Sequence, residues 1–335
     1  MQQQNRIDNP TNFDLDYIDK ELKDGKHLIV QFSEKTYTDE KLFTLNRLCE
    51  KYDKSFGVRF YGHYSNTFDC TILLKIPEVK CLYVDCLLNA DNLSALTELY
   101  KLQKLSLGVY ELKETEILNS KNLKQLTELI LTETKSKAFN LEYLNEYSNL
   151  KYLILGGHTK NISAIGNVQT LEYLSLNSIK KTSLEFVNKL KELKTLNIIL
   201  GGRENIHEID DSAIEHLKIV WVRGFNDISN IIKFKKLKSL ILEDNIKLEK
   251  IDFDKEMPFL KTLKIANCKT LNSLTGLRNL TSLDRIGIYQ TNIDFDTFIK
   301  QDLPASLKAV RFYTSKNKLK NDAIKIRIKA KGYTD

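Results

Sequence analysis

The sequence predicts an α/β solenoid in which short parallel strands, one per coil, line a concave face and irregular, 3₁₀ or helical returns form the convex side. Three observations predict it. From Leu271 to Ile288 apolar residues stand at every third position (Leu271, Leu274, Leu277, Leu280, Leu283, Ile286), and the last step shortens to two, at Ile288. A spacing of three fits neither an α-helix nor a strand; it fits a tight 3₁₀-like path with one side chain per turn on a stripe, and the closing pair fits a short strand. The same pattern recurs through most of the chain. One such coil cannot bury its own stripe, whereas stacked copies can.

Aligned on the last three apolar positions of L-x-x-L-x-L, the units are Val79/Leu82/Val84, Leu102/Leu105/Leu107, Leu126/Leu129/Leu131, Leu150/Leu153/Leu155, Leu171/Leu174/Leu176 and Leu193/Leu196/Ile198. They continue as Leu217/Val220/Val222, Leu237/Leu240/Leu242, Leu260/Leu263/Ile265, Leu283/Ile286/Ile288 and Leu307/Val310/Phe312, eleven units at intervals of 20 to 24 residues. On these residues, from about Asp69 to Tyr313, the chain resembles a leucine-rich-repeat protein, and its short units with added triplet leucines resemble the irregular bacterial internalin-like subclass. The resemblance implies a horseshoe capped at both ends. The family usually carries Asn three residues after the last leucine of the strand, where it satisfies backbone groups at the turn. Only Asn245 occupies that place here; elsewhere stand Tyr110, Thr134, His158, Ile179, Gly201, Phe225, Cys268 and Thr291. Thr and Cys can bond locally and the bulky residues are expected not to, so the loops should be uneven.

Taken in order, residues 1–12 are polar and carry Pro10, which predicts a loose terminus. Residues 13–68 predict strand–helix capping units. Phe13, Leu15, Tyr17, Ile18 and Leu22 suit an amphipathic element stopped at Gly25, and HLIVQF (27–32) suits a strand. Thr38 before Asp39 and Glu40 is a helix start, with Leu42, Leu45, Leu48 and Cys49 on one face, and FGVRFY (56–61) suits a second strand. The repeats occupy 69–313, and 314–335 is a second cap. There Ile324, Ile326, Ile328 and Ala330 alternate with cations, which favours an edge strand; a helix from Asp322 to Gly332 is the alternative.

At 335 residues, a solenoid needs no division into globular domains. No apolar run approaches the roughly 18 residues needed to cross a bilayer, and MQQQNRIDNP lacks the layout of a secretory signal, so a cytoplasmic location is expected unless a signal peptide has been removed. Five cysteines in no framework or C-x-x-C spacing predict reduced thiols and no metal site. The net charge of +7 is spread among interspersed Lys, Arg, Asp and Glu, which is the pattern of a solvated surface.

No nucleophile, metal or phosphate-binding motif is present, the five histidines meet no metal spacing, and His158 is expected in a solvated loop. Small acidic clusters (Glu111, Glu114, Glu116; Asp210, Asp211, Glu215) lie between strands where no pocket is expected, and the short stretch given after the last repeat leads us to expect no appended catalytic domain. A non-enzymatic protein without cofactors is therefore expected.

Strand alternation places side chains on the open concave face. The partner-binding residues so predicted are Trp221, Arg223, Ile219, Tyr173, Tyr152, Ile154, Ile241, Ile199, Arg285, Tyr289, Tyr83 and Tyr61, with Trp221 as anchor. Tyr, Trp and Arg are enriched where interfaces carry their energy, and an extended apolar stripe marks a docking surface. The predicted function is binding of a protein partner. Richness in Lys, Asn and Ile points to a bacterium with an AT-rich genome, where such a protein suits an immunity protein or toxin inhibitor by analogy. The alternative is nucleic-acid binding through Arg59, Lys104, Arg223, Lys264, Arg285 and Arg311, against which stand Asp85, Glu128 and Glu243. No membrane role is expected.

Overall fold

Two aliphatics two residues apart make a strand in each repeat because both must point inward, and the computed structural model, which describes residues 4–135, 137–179, 181–210, 213–314 and 317–334, shows the resulting ladders. The chain forms two units, Met1–Thr170 and Leu171–Asp335. In the first, the elements are β1 (Gln4–Asp8), α1 (Leu15–Lys23), β2 (His27–Phe32), α2 (Asp39–Lys51), β3 (Phe56–Gly62), β4 (Phe68–Asp69), β5 (Cys81–Leu87), β6 (Ala90–Asp91), β7 (Lys104–Val109), β8 (Glu128–Leu131) and β9 (Tyr152–Gly156). A parallel sheet runs β1-β2-β3-β5-β7-β8-β9, and β4 pairs with β6 apart from it.

The second unit holds β10 (Tyr173–Asn177), β11 (Thr195–Ile199), β12 (His216–Val220), β13 (Ser239–Glu243), β14 (Lys250–Asp252), β15 (Thr262–Ala266), β16 (Ser273–Thr275), β17 (Arg285–Tyr289), α3 (Phe295–Ile299), β18 (Ala309–Tyr313) and α4 (Lys318–Ala330). Its parallel sheet runs β10-β11-β12-β13-β15-β17-β18, and β14 pairs with β16. Registers are unshifted: Leu196 faces Leu217 and Ile198 faces Ile219, and the series continues to Val310 and Phe312.

The every-third spacing is realised as expected. From Leu271 to Ile288 all seven apolar positions are at most 2% exposed, and between them lie β16, a 3₁₀ turn at Leu277–Asn279 and β17. Each such side chain contributes roughly 1.5–3 kcal/mol of transfer free energy before ordering costs. The amino-terminal elements also follow the sequence. Asp14 caps α1 by accepting the Tyr17 N–H, Thr38 caps α2 by accepting the Lys41 N–H, and Leu42, Leu45, Leu48 and Cys49 are its buried face.

Three expectations fail. Residues 4–8 are not loose but form β1, since β2 would otherwise leave an open edge; Asn9, at φ 41°, extends the pairing by donating its N–H to the Gln31 carbonyl. The carboxyl-terminal cap is a helix, α4, started by Asn317 rather than Asp322. Ile324 and Ile328, four residues apart, share its buried face, while Ile326 turns to solvent, so the alternation is coincident with a helical period. The seventh repeat is also out of register: the buried triplet is Ile214/Leu217/Ile219, not Leu217/Val220/Val222. Ile219 is fully buried in the strand ladder and belongs to no surface.

Candidate functional site

Six strands of the second unit end in the same step. After the fifth strand residue the backbone enters the left-handed region at Ser178 (φ 54°), Leu200 (61°), Trp221 (51°), Asp244 (55°), Asn267 (55°) and Gln290 (51°). The step aims each N–H at the last carbonyl of the next strand: Ser178 to Ile199, Leu200 to Val220, Trp221 to Glu243 and Asn267 to Tyr289 at 2.8 Å, Asp244 to Ala266 at 2.9 Å and Gln290 to Tyr313 at 2.6 Å. Short polar side chains tolerate this conformation best, and a bulky one costs on the order of 1–2 kcal/mol. Leu200 and Trp221 break that preference side by side on neighbouring coils, 39% and 65% exposed. Gly201 follows Leu200, also left-handed at φ 76°, where an added Cβ would lie 2.3 Å from the Ile179 carbonyl oxygen.

Half-buried Ile199 and Val220 precede this pair on β11 and β12, and Ile241 lies across from Lys218 on the same open face. Trp221 is thus exposed as expected, but one residue past its strand rather than on it. Arg223, also exposed, lies beyond it and bridges to Gly202. Leu200 and Val220 were missed because the misaligned repeat hid their column; placing Trp221 under Leu200 would have found it. Farther along, Arg285 is exposed beside Asp284 (3.0 Å) and Tyr289 stacks on Tyr313 at 5.6 Å. At β10 and β11 the Asn197 amide donates to the Tyr173 hydroxyl at 2.6 Å.

The open face of the first unit is closed upon itself. Arg59 donates to Asp85 at 2.7 Å and to Gln31 at 3.3 Å, Asp85 accepts the Ser106 hydroxyl at 2.8 Å, and Gln31 donates to Asp8. Half-buried Tyr61 lies under the Arg59 guanidinium at 4.5 Å. Tyr83 points to this face yet is 8% exposed, packed with Ile29 and Cys81 beneath the Lys104 ammonium; burial pushes its hydroxyl up to about 12. Sequence alternation gave its direction but not the cover that makes it unavailable. Tyr152 and Ile154 are half-buried on β9.

The cations of the nucleic-acid alternative are largely matched. Arg59 pairs with Asp85, Lys104 shares Glu128 with Lys54, Lys264 reaches Glu243 at 3.3 Å, and Arg285 reaches Asp284.

At the turns, Asn245 is fully buried: its oxygen accepts the Val222 N–H at 3.2 Å and its amide donates to the Ile219 carbonyl at 2.9 Å. The coils follow one another at 21 to 24 residues, each with an inward strand pair and a 3₁₀, irregular or short helical return, and one of them carries this asparagine. The fold is a leucine-rich-repeat solenoid. Within it His158 takes the asparagine's place rather than standing in a solvated loop. It is 1% exposed, Nε2 donates to the Thr132 carbonyl at 2.8 Å, and Nδ1 accepts the Phe139 N–H at 3.4 Å. Burial lowers its pKa from the usual 6.5. Phe225, expected at that place in the seventh repeat, is a core residue; the corrected position is Val222.

The five cysteines are unbridged, and all but Cys86 are buried. Among the described residues no helix is long and apolar enough to cross a membrane. Asp211 lies outside the described residues.

No family model and no curated protein matches the sequence. Similar solved structures include an internalin (inlF) from Listeria monocytogenes, with 17% identity over 86% of this chain and 80% of that one and a TM-score of 0.47. A leucine-rich-repeat protein of Leptospira interrogans gives 17% identity over 92% and 89%, with a TM-score of 0.48. The Toll–Spätzle complex of Drosophila gives 14% identity over 96% of this chain and 48% of the other, with a TM-score of 0.44.

Proposed function

We propose that this chain is a non-enzymatic protein-binding module whose contact surface is the edge formed by Leu200 and Trp221, supported by Ile199, Val220, Ile241 and Arg223. The supporting observation is the pair itself. Two large apolar side chains sit exposed and left-handed in a column whose other members are Ser178, Asp244, Asn267 and Gln290. The fold accepts polar residues at the four equivalent positions, and strained residues of this sort collect at ligand-contact sites. Trp, with Arg beside it, is also the composition of an energetic centre. Tyr173, Tyr152, Ile154, Arg285, Tyr289 and Tyr61 stay as peripheral candidates. The matched charges argue against a nucleic-acid partner, whose binding depends on unpaired cations meeting phosphates.

The finer form of this reading is an inhibitor or immunity protein for a bacterial toxin, acting in the cytoplasm. Nuclease-treated lysate of the native cell, passed over wild type and a Leu200→Asn/Trp221→Asn variant, tests both levels. A protein retained by wild type and lost by the variant supports the edge; a toxin whose activity the chain suppresses supports the finer reading. Equal capture by both proteins removes the edge from consideration.

A further inference from the structure

We propose that the chain associates head to tail with a second copy of itself, α4 of one copy docking in the groove between α1 and α2 of the next. Different residues carry this inference from those of the binding edge. Helix α4 has two apolar faces. Ile324 and Ile328 are buried against its own unit, while Leu319 (81% exposed), Ile326 (69%) and Ala330 lie on the opposite side, and a seven-residue step returns a side chain to the same face after two turns. A helix that needs only one apolar face to cap a repeat array has no internal use for the second.

The groove between α1 and α2 has a volume of about 570 Å³ and an apolar lining of Leu15 (50% exposed), Phe43 (64% exposed) and Leu48. Its rim carries Asp16, Asp19, Glu50, Arg47 and Lys51. Lys51 is bound to Asp19 at 2.7 Å, so Asp16 and Glu50 stand against Arg47 and the rim keeps an excess of one carboxylate. Helix α4 is the opposite: Lys318, Lys320, Lys325, Arg327 and Lys329 lie along it and Lys331 caps it, against one carboxylate, Asp322. Arg327 is engaged with Asp296 and Lys325 has a partner of its own, and Lys318, Lys320, Lys329 and Lys331 still outnumber the one carboxylate.

Charge therefore selects the pairing. Two α4 helices face to face would bring like charges together, whereas α4 in the α1–α2 groove sets cations against carboxylates around an apolar contact. Because helix and groove are different surfaces, the contact is heterologous: each added copy leaves one helix and one groove free, so the assembly extends or closes into a ring.

Sedimentation velocity of the full chain from about 1 to several hundred micromolar tests this. Wild type should sediment faster as concentration rises. Leu319→Asp/Ile326→Asp and Phe43→Asp should each stay monomeric with unchanged circular dichroism, since all three positions are exposed. An equimolar mixture of the two variants retains one intact helix and one intact groove, and should form dimers and nothing larger. Monomeric wild type throughout, a dimer that survives Phe43→Asp, or a mixture without dimers would each overturn the proposal. Monomeric wild type that captures an acidic amphipathic helical peptide through Leu319 and Ile326 would reassign the face to another protein.

Discussion

Trp221 donates its backbone N–H to the Glu243 carbonyl at 2.8 Å while its own backbone is left-handed at φ 51°. The bond extends the β12–β13 ladder by one residue, and the same geometry holds the indole out in solvent. Leu200 does the same toward Val220 on the preceding coil. Backbone pairing and side-chain exposure are therefore one feature here, and stability and binding should respond to substitution in opposite directions.

Trp221→Asn places a residue suited to the left-handed region at that position. Relief of part of the roughly 1–2 kcal/mol conformational cost should raise stability by about 0.5–1 kcal/mol in urea melts, with loss of the captured partner. A variant less stable than wild type would show that the indole packs usefully within the chain.

Asn245→Ala leaves the Val222 N–H and Ile219 carbonyl buried without their partner. Each such group carries a desolvation penalty, so the variant should lose about 1–3 kcal/mol in denaturant titration. The same change at exposed Asn226 should be near neutral.

His158 is folded in its neutral form, its pKa held below 6.5 by burial, and His63 is lowered for the same reason. The folded state thus binds fewer protons than the unfolded chain at these sites. Their contribution is complete above about pH 6.5 and is lost as the pH falls toward and through the lowered values. His158→Asn keeps a donor and an acceptor but no titration, so its urea midpoint should fall less than that of wild type between pH 7.5 and pH 5. Parallel curves would show that the imidazole is not a source of the pH dependence.

Leu240→Ala, at a fully buried position of β13, should cost about 2–5 kcal/mol. A loss under half a kilocalorie per mole in denaturant melts would contradict the inward register of that strand.

The fold was legible in the sequence because burial repeats at a fixed interval. Leu271, Leu274, Leu277, Leu280 and Leu283 can share a dry stripe only on a coil with one inward residue per turn, so their spacing determined the path. The seventh repeat misled because Val220 and Val222 imitate the strand pair, while the true pair, Leu217 and Ile219, begins three residues earlier in the unit. Only the register against Leu196 and Ile198 separates the two.

By itself the sequence determined the repeat and the strand–helix cap at the amino end, since each follows from the period of hydrophobic residues along one segment; Trp221 is exposed because the backbone turns left-handed one residue past β12, not because of that period. Tertiary structure decided that Tyr83 is covered, that Ile219 is interior, that His158 serves as a buried turn residue, and that α4 is a helix with a second face. Those outcomes depend on what neighbouring coils bring within contact distance, and chain periodicity carries no record of side chains supplied from twenty or more residues away.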